Sequence, residues 1–234
     1  MISFRTLEHY PFITGATITK DLYLRNWLKD SAGVIYSSVF SLFIIALSVI
    51  LLLRAYKHNA KIQYVAHHDS LTGLSNRILL ADRIQHELAV AKRNKTKVAL
   101  LYLDLDNFKT INDELGHAVG DDVLQEAANR MINCVRDSDT VSRIGGDEFI
   151  ILLANIENEQ NAMLVAEKIR EALTKPILAR NNTTVITSTS IGIAVYPENG
   201  MTQEELQKNA DFALYLSKNQ GRNSIHVYSP INRN

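Results

Sequence analysis

The chain has 234 residues, enough for one large domain or for a domain with an appendage. Its 25 lysines and arginines balance its 25 acids, so net charge gives no argument for nucleic-acid binding, and no nucleic-acid partner is expected. A single cysteine, Cys134, excludes both an intramolecular disulfide and a cysteine-rich metal site; it falls on an apolar helical pattern and reads as an inert core residue of a protein in a reducing compartment.

Residues 1–30 are too few for a hydrophobic core of their own. The stretch Tyr10-Pro11-Phe12-Ile13 through Trp27-Leu28 resembles the closing segment of extracytoplasmic sensory domains of the Cache type; a short translocated tail with an interfacial Trp27 is the alternative. Ser31–Leu53 is 23 residues without a charge. At about 1.5 Å per residue, a helix of that length crosses a hydrocarbon core of about 30 Å. It starts too far from Met1 for a signal peptide, and no small-residue cleavage site follows it. Arg25 and Lys29 flank one side and Arg54, Lys57 and Lys61 the other, so flanking charge barely decides orientation.

Residues 54–67 read as a helical linker continuing the apolar segment. A turn-rich junction, Asp69-Ser-Leu-Thr-Gly-Leu-Ser-Asn76, precedes a helix with Leu80, Ile84 and Leu88 on one face. Lys97–Asp104 is a continuous apolar run of strand length, the pattern of a central strand covered on both faces. Val119–Val135 reads as a helix with Val123, Leu124, Ala127, Met131 and Ile132 apolar. A hairpin follows at Gly145-Gly146, then a helix over Glu159–Leu173 with Pro176 beyond it, a β-branched strand over Thr183–Tyr196, a helix over Gln203–Lys218 and a last strand over Ser224–Tyr228. Strands and helices alternate around one hairpin, so the fold class is an α/β (α+β) sandwich with a mixed sheet.

The chemistry concentrates at Arg143-Ile-Gly-Gly-Asp-Glu-Phe149. Gly145 and Gly146 can both take positive φ, so the pair predicts a two-residue hairpin whose bare tip lets a ligand approach the backbone. Asp147 and Glu148 then stand at the start of the next strand. The strand ending Leu103-Asp104-Leu105-Asp106 delivers carboxylates at its C-terminal end, with Asp104 and Asp106 sharing a face. With Asp104 beside the hairpin, Asp104 and Asp147 or Glu148 form a hard oxygen site suited to Mg²⁺. Asn112 and Asp121 can read a purine edge and Lys109 can meet phosphate. Each acid alone is more simply a helix cap or a solvated charge; their density around one strand and one hairpin favours a site.

Together, Asp104-Leu-Asp-Asn-Phe-Lys-Thr-Ile-Asn-Asp113, Gly116-His-Ala-Val-Gly-Asp121, the heptapeptide and Ala210–Asn223 resemble the GGDEF family, bacterial diguanylate cyclases that join two GTP molecules into cyclic di-GMP. His68–Arg77 and Ser190-Ile-Gly-Ile-Ala194 fit the same family, and the resemblance covers about residues 67–230. It implies a nucleotidyl-cyclase palm-like mixed sheet flanked by helices. It also implies Mg²⁺ (or Mn²⁺) on Asp104, Asp147, Glu148 and the Leu105 carbonyl. Asn112, His117 and Asp121 would fix the guanine and ribose end, and Lys109 would stabilise phosphate charge. Lys218 and Arg222, four apart and on one helix face if the helix continues, would hold the outer phosphates. Gly145 and Gly146 would make room for GTP, and Asp147 or Glu148 would accept the proton. One site holds one GTP, so a homodimer is implied and a monomer is expected to be inactive.

Arg136-Asp-Ser-Asp139 matches the family's product-binding inhibitory site. Arg136 is suited to phosphate or guanine and Asp139 to a guanine edge; a helix C-terminus with a capping acid is the competing reading. The uncharged 31–53 segment reads as a single span followed by a 54–67 linker; the resemblance orients it, with the 68–234 catalytic domain in the cytoplasm, where GTP is found, and residues 1–30 outside the bacterial inner membrane. The linker, about 20 Å if helical, is the expected route for a rotation or a change in dimerisation. Two alternatives remain: a silent module that only binds GTP or cyclic di-GMP, and a cyclase making a mixed guanine–adenine product, which the retained Asp121 disfavours.

Overall fold

In the computed structural model, residues 2–6 and 13–230 are described. The chain divides into two compact units, Met1–Lys61 and Ile62–Asn234.

In the first unit, β1 (Ile2–Thr6) and β2 (Ile13–Thr17) form an antiparallel ladder with Ile2 opposite Thr17 and Thr6 opposite Ile13. The sequence reading did not anticipate this pair, because no two-residue turn signal lies between the strands. Tyr10–Phe12, where the Cache-like stretch begins, lie outside the described residues. Helix α1 (Lys20–His67) starts in this unit and contains the uncharged Ser31–Leu53 segment. By length and composition Tyr23–Arg54 can cross a bilayer, and its apolar window has no buried residue. Val34, Phe40, Phe43 and Leu52 are exposed, which is not how the core helix of a soluble fold packs. Ser37 and Ser38 donate their hydroxyls to the Val34 carbonyl and Ser48 to that of Ile44, so these polar groups are spent within the helix itself.

The second unit is organised by β3 (Lys97–Leu105), the middle strand of a five-stranded sheet. Its neighbours are β5 (Glu148–Ile156) and β8 (Thr189–Tyr196), both antiparallel to it; β4 (Thr140–Gly145) and β9 (Ile225–Val227) form the edges, β9 parallel to β8. The unbroken apolar run of β3 follows from cover on both faces. Ala99, Leu101, Leu103 and Leu105 pack against α4 (His117–Cys134) and α5 (Glu159–Leu173) in the larger core. Val98 and Leu100 face Leu80 and Ile84 of α2 (Arg77–Asn94) and Leu206 and Ala210 of α6 (Gln203–Asn219). By period 2 the second set continues to Tyr102 and Asp104, so the strand turns from oil to acid on the α6 face as it leaves the core.

Most elements occupy the spans read from sequence, α5 among them, and Cys134 is buried. Three differ. A short helix, α3 (Phe108–Leu115), precedes α4, and Gly116 at φ 88° ends one and starts the other. Only Phe108 of α3 is buried, too little apolar signal to mark a helix. The strand expected over Thr183–Tyr196 is broken: β7 (Thr184–Val185) pairs instead with β6 (Ile177–Leu178), leaving Ile186 facing solvent before β8 begins. Helix α6 ends at Asn219, so Arg222 does not share a helix face with Lys218. Gln220 caps the helix and Gly221, at φ 108°, turns the chain towards β9.

Helix α6 lies on β8 with nothing between. A Cβ on Gly192 would stand 2.1 Å from the Ala210 carbonyl oxygen and 2.2 Å from the Leu214 nitrogen, both backbone atoms that cannot yield locally. Gly192→Ala is expected to cost about 3 kcal/mol through this overpacking, read as a lowered midpoint in chemical denaturation; an unchanged midpoint contradicts the packing described.

Candidate active site

Two adjacent strand ends bring the acids together. Asp104, at the end of β3, is the cross-strand partner of Glu148, at the start of β5, and the Leu105 amide donates to the Asp147 carbonyl at 3.3 Å. Asp104 is 9% exposed and its carboxylate lies 2.7 Å from the Lys218 ammonium of α6. Burial pushes the Asp104 carboxyl above the usual range; Lys218 pulls it down, while Asp147 and Asp106 push it up. Glu148 accepts a hydrogen bond from the Tyr102 hydroxyl at 3.3 Å. That phenol is pushed up to about 12, by burial first and then by the Glu148 and Asp211 charges.

Among the described residues no three His, Cys, Asp or Glu side chains converge closely enough to hold a metal. Asp104 is turned to Lys218 and Glu148 to Tyr102. The donor chemistry nevertheless fits Mg²⁺: hard carboxylate oxygens on adjoining strand ends, one of them buried and raised by that burial and by like charges that a divalent cation offsets.

The hairpin between β4 and β5 differs from the expected Gly145-Gly146 turn. Gly145 still pairs with Glu148 across a bulge, and the two-residue loop is Gly146-Asp147. Gly146 takes φ 55° and Gly145 φ 156°; an added Cβ at either would meet nothing within 4 Å, so the tip is open. What holds it is Arg143. Its Nε and Nη2 donate to the Gly146 carbonyl at 3.0 and 2.8 Å, and its Nη1 donates to Asp69 Oδ1 at 3.0 Å. The same Asp69 oxygen accepts from the Thr72 amide and hydroxyl. The Arg143 amide also donates to the Ser75 carbonyl, and Asn76 donates to the Ala66 carbonyl of α1 while capping α2. Asp69 and Arg143 lie inside two separate sequence motifs, and nothing local gives them a shared role, because they are 74 residues apart.

Lys109 and Asn112 lie on α3, His117 and Asp121 on α4. Lys109, His117 and Asp121 are exposed. Asn112 is partly buried, its Oδ1 occupying the space over Gly120 where a Cβ would stand, 1.9 Å away. Asn107, at the head of α3, makes no side-chain cap, which leaves amides of the first turn for other acceptors. Beside Asp121, Asp122 takes three hydrogen bonds from Arg180, one from its amide and two from its guanidinium. These bonds hold the Asp122 carboxyl at about 2.

Lys218 reaches the acids; Arg222 stands past the helix, exposed, in a left-handed turn at φ 61°. Arg136 and Asp139 border a pocket of about 640 Å³ that also includes Asn155, Asn161 and Lys168. Both Asp139 oxygens are engaged by the chain itself, Oδ2 by the Arg136 amide and Oδ1 by the Ala154 amide.

On the role that the family resemblance implies for Asn112, Gly120→Ala is expected to evict that amide and weaken guanine-nucleotide binding about tenfold, measured by titration with GMP, with little change in fold; unchanged affinity contradicts that role. A second expectation concerns acid. For Asp69, burial raises the pKa but the Thr72 and Arg143 bonds outweigh it, leaving it lowered; Asp122 is lowered by Arg180. Depressed folded values give stability that is present above the unfolded pKa and lost as pH falls. The unit is therefore expected to lose stability from about pH 4 downwards, and Asp69→Asn to flatten that limb in urea melts against pH.

The model of the family described as "Diguanylate cyclase, GGDEF domain" matches residues 66–224. The chain is 43% identical over 171 residues to the diguanylate cyclase TpbB of Pseudomonas aeruginosa, a match covering 73% of this chain and 39% of that protein. It thus spans about two fifths of the length of that curated relative. The crystal structure of the TpbB GGDEF domain superposes with a TM-score of 0.67 at 41% identity, covering 68% of this chain and 98% of that one. The coiled coil and GGDEF domain of DgcB from Caulobacter crescentus, solved in complex with cyclic di-GMP, gives 0.71 at 28% identity over 78% and 96% of the two chains. The chain belongs to the GGDEF-domain family of diguanylate cyclases.

Proposed function

We propose that the chain is a diguanylate cyclase that condenses two GTP molecules into cyclic di-GMP and two pyrophosphates. The observation that carries this reading is the juxtaposition of Asp104, Glu148 and Lys218 beneath an open glycine tip: a concentration of negative charge with one cation, beside room for a phosphate chain. Asn112 and Asp121 would bind the guanine, with His117 at the ribose side, and Lys109, Lys218 and Arg222 would meet the phosphates. Asp104, Asp147, Glu148 and the Leu105 carbonyl would hold Mg²⁺ (or Mn²⁺), which when bound neutralises phosphate charge and acidifies the attacking hydroxyl. Lys218, now paired with Asp104, would be released to the phosphates when that carboxylate takes a cation.

The 3′-oxygen of one GTP attacks the α-phosphorus of the other, and the bond from that phosphorus to the bridging oxygen breaks. Pyrophosphate leaves with the electron pair, and Asp147 or Glu148 takes the hydroxyl proton. The reciprocal attack closes the ring. Each chain supplies one GTP site, so catalysis needs two copies facing across a two-fold axis. Arg136, with the pocket beside it, would form a product-binding brake; Asp139 supports it by fixing the turn from which Arg136 projects. Tyr23–Arg54 would anchor the protein in the inner membrane as a single span, with the catalytic unit on the cytoplasmic side.

The full chain in detergent, given GTP and Mg²⁺, is expected to yield cyclic di-GMP and pyrophosphate, with initial rates rising more steeply than linearly with protein at low concentration. Glu148→Gln is expected to lower turnover by about a hundredfold or more. A dimeric protein that binds GTP without yielding cyclic di-GMP would make it a receptor instead.

A further inference from the structure

Asp106 is the most buried carboxylate among the described residues, 3% exposed, and the proposed reaction gives it no part. It is fully occupied. Oδ2 accepts from the Ser188 hydroxyl at 2.5 Å and from the Asn223 amide at 3.0 Å, and Oδ1 accepts from the Ser190 hydroxyl at 2.7 Å. Its backbone is held too, the amide by the Ser188 carbonyl and the carbonyl by the Thr187 hydroxyl. One carboxylate thus joins the end of β3, the start of β8 and the turn after α6.

That turn is unusual. Gly221, Arg222 and Asn223 take φ of 108°, 61° and 45° in succession, and the last two are L-residues in a region that L side chains avoid. A strained run of this kind persists only where its surroundings over-determine it. The determinants surround Arg222. The Asn223 amide is bound by Asp106, the Asn223 side chain accepts from Arg170 at 2.9 Å, and the Arg222 amide donates to the Ser217 carbonyl. Ser224 is tied to Ser217 through both its carbonyl and its hydroxyl. The neighbouring backbone is pinned while the Arg222 side chain stays exposed.

We infer that Asp106 is a positioning residue for the phosphate grip: by bonding the Asn223 amide it fixes the left-handed turn from which Arg222 meets the outer phosphates. The inference rests on the reading of Arg222 as a phosphate contact. It gives the two acids of the strand end separate tasks, Asp104 towards the ligand and Asp106 towards the turn that grips it.

The test is binding to the full chain in detergent with Mg²⁺, using two probes: a GTP analogue with a methylene bridge between the α- and β-phosphorus, and GMP, which lacks the outer phosphates. Arg222→Ala is expected to weaken the analogue about tenfold and leave GMP within about twofold. Asp106→Asn is expected to repeat that pattern, and the double variant to bind no more weakly than Arg222→Ala alone. Losses that add, equal weakening of GMP and the analogue, or no loss overturns the assignment. If Asp106→Asn does not fold, Ser190→Ala removes one donor and is expected to weaken the analogue alone by about threefold; unchanged binding there overturns it equally. An Arg222→Ala variant that binds the analogue normally removes the phosphate role of Arg222 itself, a failure distinct from the others.

Discussion

Three hydrogen bonds from one guanidinium hold the working end of this fold. The β4–β5 hairpin carries no side chain at Gly145 or Gly146, and glycines cannot brace a tip. Arg143 supplies the brace from below, two donors on the Gly146 carbonyl and a third on Asp69. Asp69 is in turn fixed by Thr72, and the same turn reaches α2 through Asn76. The planar fork matters here, since a lysine cannot direct three donors at two acceptors in fixed geometry. The loop that carries Asp147 is therefore braced by residues that begin 78 positions earlier in the chain, through a cation on β4, while the Leu105 amide of β3 holds the Asp147 carbonyl.

The second constraint is the alternation of β3. Its odd positions seal the larger core and its even positions the smaller one, so the strand is committed on both sides until Tyr102. Only beyond that point does the α6 face open, and acids follow at once. Carboxyl groups are tolerated there because each has a partner: Asp104 has Lys218, Glu148 has Tyr102, and Asp106 has two serines and an amide. Burial, with the nearby Asp147 and Asp106 charges, still pushes the Asp104 carboxyl up against the pull of Lys218.

The parts of this architecture legible in the sequence are those where one physical demand repeats along the chain. Double cover made β3 a continuous apolar run, and helical periodicity marked α5 to its ends. The motifs around Asp104 and Asp147 announced carboxylates beside glycines. What escaped was the part decided by partners distant in sequence. The bond from Arg143 to Asp69, the bond from the Ala154 amide to Asp139 and the bond from the Asn223 amide to Asp106 join residues 15 to 117 positions apart. Arg222 was placed on a helix because i, i+4 spacing permits it; Gly221 and the bonded Asn223 amide decide otherwise. Likewise the hairpin turn moved by one residue because Gly145 stayed in the ladder with a bulge.

The absent side chain at Gly192 has a consequence for how such a site can diverge. Most helix–sheet interfaces can be retuned by exchanging one apolar side chain for another, which tilts or lifts the helix by fractions of an ångström. At Gly192 backbone rests on backbone, and that contact offers no side-chain atom to exchange. The height of Lys218 above the sheet is therefore closed to gradual adjustment. Variation in the shape of the proposed phosphate end is left to the chain beyond Asn219, where Arg222 stands on a turn and not on a helix.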